Sequence, residues 1–157
     1  MARRRGATCS FVNNSGVGIV IAPAGGIIGA ALDNVRSANN AFGLAVGTGG
    51  RVMVKNSVFT ANTTAGVEAD PGATIHVNTS LVSFNSTGVV SSGTVLLSDS
   101  AIDSNSTAIS GAARSSGNNR IFANSSDGTG LHRQLSVADS DIVALASLAT
   151  VRGWRDN

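Results

Sequence analysis

Hydrophobic and polar positions alternate along this chain in short bursts, and the bursts recur. The clearest are Arg51-Val-Met-Val-Lys55, Thr74-Ile-His-Val-Asn78 and Thr94-Val-Leu-Leu-Ser98. Side chains in a strand point alternately to its two faces, so Val52/Val54, Ile75/Val77 and Val95/Leu97 share one side. The other side then carries Arg51, Met53 and Lys55, then Thr74, His76 and Asn78, then Thr94, Leu96 and Ser98. A second burst follows each of these: Val58-Phe59, Leu81-Val82 and Ala101-Ile102. After it comes a Gly-containing turn with a short apolar step: Gly43-Leu44, Gly66-Val67, Gly88-Val89 and, without the Gly, Ile109. β-Branched runs broken by Gly, Asn and Ser predict short strands and tight turns, not helices.

An Asn punctuates each repeat, at Asn14, Asn39, Asn62, Asn85, Asn105 and Asn124, with spacings of 25, 23, 23, 20 and 19. A fixed period of this length is the mark of a solenoid, in which each repeat is one rung. Alignment on the Asn column gives five to six rungs across residues 7–130. Stacked Asn side chains would hydrogen-bond one another and the turn backbone, satisfying buried polar groups in a tight corner. The Asn-x-Ser/Thr triplets at Asn62, Asn78, Asn85, Asn105 and Asn124 match the glycosylation acceptor pattern and read as by-products of the repeat.

Composition fits this picture. At 157 residues the chain is one domain, or one domain plus a tail. Hydrophobic residues make up 42%, enough for a core, but aromatics only 4%. Charged residues are 13%, so the surface must rest on Ser, Thr and Asn. The net charge of +2 leans on Arg3, Arg4 and Arg5, within a disordered basic start over residues 1–6. Neither a basic stripe nor interleaved aromatics support a nucleic-acid partner. The single cysteine, Cys9, excludes an internal disulfide and reads as a small packed thiol. Residues 16–32 are apolar, yet Pro23 and several Gly break them, so no membrane span and no signal peptide is read here.

After Gly130 the text changes. Ser140 can cap a helix, with Asp141 in its first turn and Ile142, Leu145 and Leu148 on one side. Residues 131–157 therefore read as a tail with a helix that caps the open end of the solenoid. The other end opens directly into repeat text. That suggests a truncated frame or a piece of a longer protein, and pairing of exposed solenoid ends, or packing of side faces, predicts a homo-oligomer.

The Asn ladder, the Val/Ile columns and the Gly turns resemble the right-handed parallel β-helix repeat family, the pectate-lyase-like superfamily, over residues 7–130. The resemblance implies an all-β fold: a short right-handed parallel β-helix of five to six rungs with a C-terminal helical cap. The family holds polysaccharide lyases, polyuronate hydrolases, esterases, epimerases and adhesins. Most members are secreted, and many of its enzymes bind calcium. This chain shows no export signal, so its localisation stays open. The calcium-roll nonapeptide is absent from the sequence.

Candidate chemistry is thin: two His, one Lys, one Glu and eight Asp. His76 and His132 lie 56 residues apart and define no Ser-His-Asp triad or zinc cluster. The outward side of the middle strands is the best surface. There Arg51, Met53 and Asn78 could hold a carbohydrate or small polar ligand, with His76 and Lys55 as catalytic residues if the protein is an enzyme. A second candidate is acidic. Asp33, Asn56, Thr79 and Asp99 are placed in one column with Asp103 four residues on, and Glu68 and Asp70 share a turn. Hard oxygen ligands suit calcium, which could polarise an ester or lactone carbonyl, that of an acyl-homoserine lactone being one example. Asp33 and Asp99 are three rungs, roughly 14 Å, apart, so only Asp99 with Asp103, or Glu68 with Asp70, could share an ion. The sequence lacks the acid sets of the family's lyases and hydrolases. The leading expectation is a binding module without a cofactor. The alternatives are a small calcium-dependent ester or lactone hydrolase and an inactive, truncated lyase-like protein.

Overall fold

The computed structural model describes residues 8–128 and 131–133. Sixteen strands wind through six rungs. The first holds β1 (Cys9–Val12), β2 (Val17–Ile21) and β3 (Ile28–Asp33); the second holds β4 (Val35–Ala38), β5 (Phe42–Val46) and β6 (Gly50–Lys55). The third holds β7 (Val58–Thr60), β8 (Ala65–Ala69) and β9 (Thr74–Asn78). In the fourth, β10 (Leu81–Ser83) precedes the long β11 (Thr87–Ser98); in the fifth, β12 (Ala101–Asp103) precedes β13 (Thr107–Ser115). The sixth is β14 (Arg120–Phe122), β15 (Ser126–Gly128) and β16 (Leu131–Arg133).

Every strand pairs in parallel with its counterparts in the neighbouring rungs, giving a parallel β-solenoid, the β-helix expected from the period, of about five turns. The first face stacks β1, β4, β7, β10, β12 and β14. The second stacks β2, β5 and β8 on the first half of β11 and β13; the third stacks β3, β6 and β9 on the second half. Because β11 runs unbroken round the bend, with a register shift between Ser91 and Val95, these two faces join into one sheet. β16 pairs with β13, so rung pairing continues three residues past the tail boundary read from sequence. The capping helix expected at 140–154 lies outside the described residues. Among those residues no helix is long and apolar enough to cross a membrane.

The core is a set of columns, one residue per rung. Ile19, Leu44, Val67, Val89 and Ile109 form one column, and Val52, Ile75, Val95 and Ala113 another, all buried. On the first face the inward column runs Phe11, Ser37, Phe59, Val82, Ile102 and Ile121. Phe59 has no exposed surface, and truncating such a side chain costs about 3–5 kcal/mol. Cys9 shares a column with buried Val35 yet is exposed, because it sits in the first rung; the packed thiol expected there is not found.

The Asn ladder is real, with one correction. Its second member is Asn40, which is buried, not Asn39. Asn39 instead takes the left-handed conformation, φ 55°, and its side chain donates to Asn13 Oδ1. In the true ladder, Asn62, Asn85 and Asn105 donate both backbone N–H and Nδ2 to one acceptor, Oδ1 of the next Asn, at 2.9–3.0 Å for Asn62 and Asn85. Their Nδ2 groups also reach back to a carbonyl of the preceding rung, as in Asn85 to Phe59 O at 3.1 Å. Both hydrogens of each of these three amides are thereby committed within the solenoid.

A second correction concerns the glycines. Gly43, Gly66 and Gly88 lie inside β5, β8 and β11 rather than in turns. A Cβ on Gly66 would lie 2.6 Å from Val82 Cγ1 and 2.8 Å from both Asn85 Nδ2 and Gly88 O, so this column is bare to make room for a core side chain, a ladder amide and the next rung's carbonyl together.

Candidate functional site

The third face presents the expected outward surface. Register pairs Arg51 with Thr74, Met53 with His76 and Lys55 with Asn78, and then Thr94, Leu96 and Ser98 below them. Strict alternation in β6 and β9, with Val52, Val54, Ile75 and Val77 buried, is what turns these side chains outward. The structure thus brings Arg51, Met53, Lys55, His76 and Asn78 together on two adjacent strands.

Two depressions lie on this face and share Met53 and His76. The larger, about 670 Å³, is lined by Gly29, Ala30, Ala31, Arg51, Val52, Met53, Thr74 and His76. The smaller, about 250 Å³, is lined by Met53, Lys55, His76, Asn78, Leu96 and Ser98. The larger owes its depth to composition: β3 supplies Gly29, Ala30 and Ala31, beside the longer Arg51 and Met53 of β6. Met53 is 54% exposed, an apolar side chain offered to solvent. His76 sits in register between Met53 and Leu96, so its ring has apolar neighbours on both sides. The outward cations in this band are Arg51, Lys55 and, two rungs beyond His76, Arg114. Asp33, in register with Lys55, is the acid at its edge. Asn78 is committed in part, donating from Nδ2 to Ser98 Oγ at 2.7 Å. The glycine and two alanines of β3 were missed from sequence, since residue size there matters only once the strands are aligned.

The acids are distributed elsewhere. Asp33 does not share a column with Asn56, Thr79 and Asp99, as expected from the sequence. Its register partners are Lys55, Asn78 and Ser98, and it accepts from Asn56 Nδ2 at 2.9 Å. The column of Asn56, Thr79 and Asp99 includes Asn34 and Asn118 instead, all with φ between 46° and 56°. Asp99 accepts from Asn118 Nδ2 at 3.1 Å and borders a separate shallow depression with Leu81, Ala101 and Arg120 on the first face. Asp103 ends β12, in register with Ser83 and Phe122, while Asp99 sits at the left-handed corner before that strand. Glu68 and Asp70 do interact: Glu68 stands outward on the second face between Ala45 and Val90, and its carboxyl is raised above the usual range by burial and then by Asp70. No group of three or more His, Cys, Asp or Glu converges among the described residues. Neither acid pair shares the outward third-face columns of His76 and Lys55.

Fold and surface define a parallel β-solenoid with an apolar-floored, cation-edged hollow on one outer face. Comparison with protein-family models, with curated proteins and with solved structures finds no match for the chain.

Proposed function

We propose that the protein is a β-helix binding module that holds a carbohydrate or small polar ligand on its third face. The observation that carries this reading is the larger hollow. Its volume falls in the range of ligand sites, its floor is apolar, and Arg51, Thr74 and His76 supply a few convergent polar groups. Kinship with the pectate-lyase-like superfamily is part of the same proposal and is supported by the ladder and columns. The test is a calorimetric titration of the full chain with neutral and acidic oligosaccharides and with small carboxylates. Saturable binding that weakens about tenfold or more in Arg51→Ala and His76→Ala is expected. Absence of saturation with every probe at millimolar concentration overturns the reading.

One observation favours a second reading. His76 flanked by Met53 and Leu96, with Lys55 in the same small hollow, pairs a base with a cation in apolar surroundings. That pairing can hydrolyse an ester or lactone, an acyl-homoserine lactone being one case. His76 would take the proton of an attacking water, and Lys55 would stabilise the oxyanion. Turnover abolished by His76→Ala supports this alternative; binding without turnover leaves the module.

A further inference from the structure

The hydrogen-bond ladder has a direction, and so do its two ends. In its Asn-to-Asn bonds each backbone N–H donates toward the C-terminal rung and each Oδ1 accepts from the N-terminal one: Asn14 donates N and Nδ2 to Asn40 Oδ1 at 3.0 and 2.9 Å, and Asn105 donates to Asn124 Oδ1 at 2.9 and 3.1 Å. Among the described residues Asn14 Oδ1 accepts nothing, and the Asn124 backbone N–H donates to nothing. One end of the solenoid therefore presents an acceptor where the other presents a donor. β1 and β14 are the two edge strands of the first sheet.

The apolar columns are interrupted at the same two places. Phe11 begins the inward column and is 38% exposed, and Ile121 ends it half-buried. In the adjacent column Val12 is 37% exposed at the first rung and Phe122 is 49% exposed at the last. Placed end to end in the register that the internal rungs already use, Ile121 of one copy meets Phe11 of the next, and Phe122 meets Val12.

We propose that the partner for each end is a second copy of this chain, stacked head to tail so that β14 pairs in parallel with β1 of the next molecule and the Asn ladder runs across the junction. The contact is heterologous: it uses a different surface on each copy and so does not close at two. It reuses the rung-to-rung interface already present five times along the first face. It is independent of the third-face hollow.

Sedimentation velocity on the full-length chain, from low micromolar to near-millimolar concentration, tests it. The weight-average mass is expected to climb past that of a dimer. Val12→Arg spoils the N-terminal end alone and Phe122→Arg the C-terminal end alone. Both positions are exposed, and circular dichroism verifies that the fold survives. Each variant by itself should need at least about tenfold more protein to associate. Mixed, they should form a one-to-one pair and stop there, because only one good junction remains. A monomer at every concentration, as when residues 134–157 cover the C-terminal end of their own molecule, overturns the proposal. So does a dimer that survives Phe122→Arg but not Val12→Arg, which would mean two N-terminal ends meeting.

Discussion

Two corners of each rung solve the same problem with different residues. Both turn the chain through a left-handed residue and, in all but one case, follow it with a polar side chain, which is buried in the middle rungs. At the first corner the left-handed residues are Asn13, Asn39, Ala61, Phe84, Ser104 and Ala123, and each is followed by a ladder Asn. At the second they are Asn34, Asn56, Thr79, Asp99 and Asn118, followed by Val35, Ser57, Ser80, Ser100 and Asn119. The Ser column is also a ladder. Ser57 N donates to Ser80 Oγ at 3.1 Å and Ser80 N to Ser100 Oγ at 3.2 Å, while each Ser hydroxyl donates to the carbonyl two residues back. The reach differs. Asn62, Asn85 and Asn105 all donate Nδ2 to a carbonyl of the preceding rung, at 3.4, 3.1 and 3.0 Å, whereas of Ser57, Ser80 and Ser100 only Ser100 does so, with Oγ 3.4 Å from Val77 O. Where the second corner does use Asn, at Asn119, Nδ2 contacts Leu97 O at 2.8 Å, and the strand before it ends in Ser115 in place of Val54, Val77 or Leu97. Asn stitches rungs together; Ser mostly closes its own turn.

The largest test of that difference is Asn85→Ala. It removes a buried side chain that donates to Phe59 O and Asn105 Oδ1 and accepts from Asn62. Leaving those partners unsatisfied should cost about 3 kcal/mol, read as a lower urea midpoint. Gly66→Ala comes next. Its methyl would press on Val82 Cγ1 at 2.6 Å and on Asn85 Nδ2 and Gly88 O, both at 2.8 Å, so a loss of about 1–3 kcal/mol is expected. A neutral result would show that the amides tolerate displacement and that the glycine column has another cause.

The comparison also explains what the sequence disclosed. The alternation in β6, β9 and β11 was legible because a two-residue period leaves no choice of face, and the outward set of Arg51, Met53, Lys55, His76 and Asn78 follows from it. The corners were not legible to the residue. Asn39 and Asn40 are adjacent, and both the left-handed position and the ladder position favour Asn, so even spacing selected the wrong one. The same one-residue slip put Asp33 where Asn34 belongs. Gly43, Gly66 and Gly88 suggested turns because glycine ordinarily weakens strands; only the amide beside them shows why they are there. The Ser ladder went unread because Ser is common throughout. The hollow on the third face needed the third dimension: β3 contributes its floor from a rung whose sequence aligns poorly with the others.

A smaller loss is expected from Ser80→Ala. The substitution deletes the acceptor for Ser57 N–H and the donor to Asn78 O, but no bond to a carbonyl of the rung before it. A cost of about 1 kcal/mol, roughly a third of that for Asn85→Ala, would fit a corner that closes locally. Equal losses at the two sites, measured by urea denaturation under one set of conditions, would mean that desolvation of the N–H groups dominates and the longer reach of Asn adds nothing.

The left-handed residues give the smallest effect and a change of sign. Ala61 sits at φ 55° and is exposed, with no side-chain hydrogen bond to compensate the strain. A left-handed backbone costs an ordinary residue about 1–2 kcal/mol, and glycine avoids this while losing about 0.5–1 kcal/mol of unfolded-chain entropy. Ala61→Gly should therefore stabilise by about 0.5 kcal/mol. Asn56 adopts φ 49° in the other corner but is a residue type that tolerates it, and its Nδ2 donates to Asp33 at 2.9 Å. Asn56→Gly should destabilise by a similar amount. Thermal midpoints moving in opposite directions would show that each corner is tuned by its local residue type. If both rise, relief of backbone strain outweighs the exposed side-chain ladder, and Asn56, Asp99 and Asn118 are retained for something other than stability.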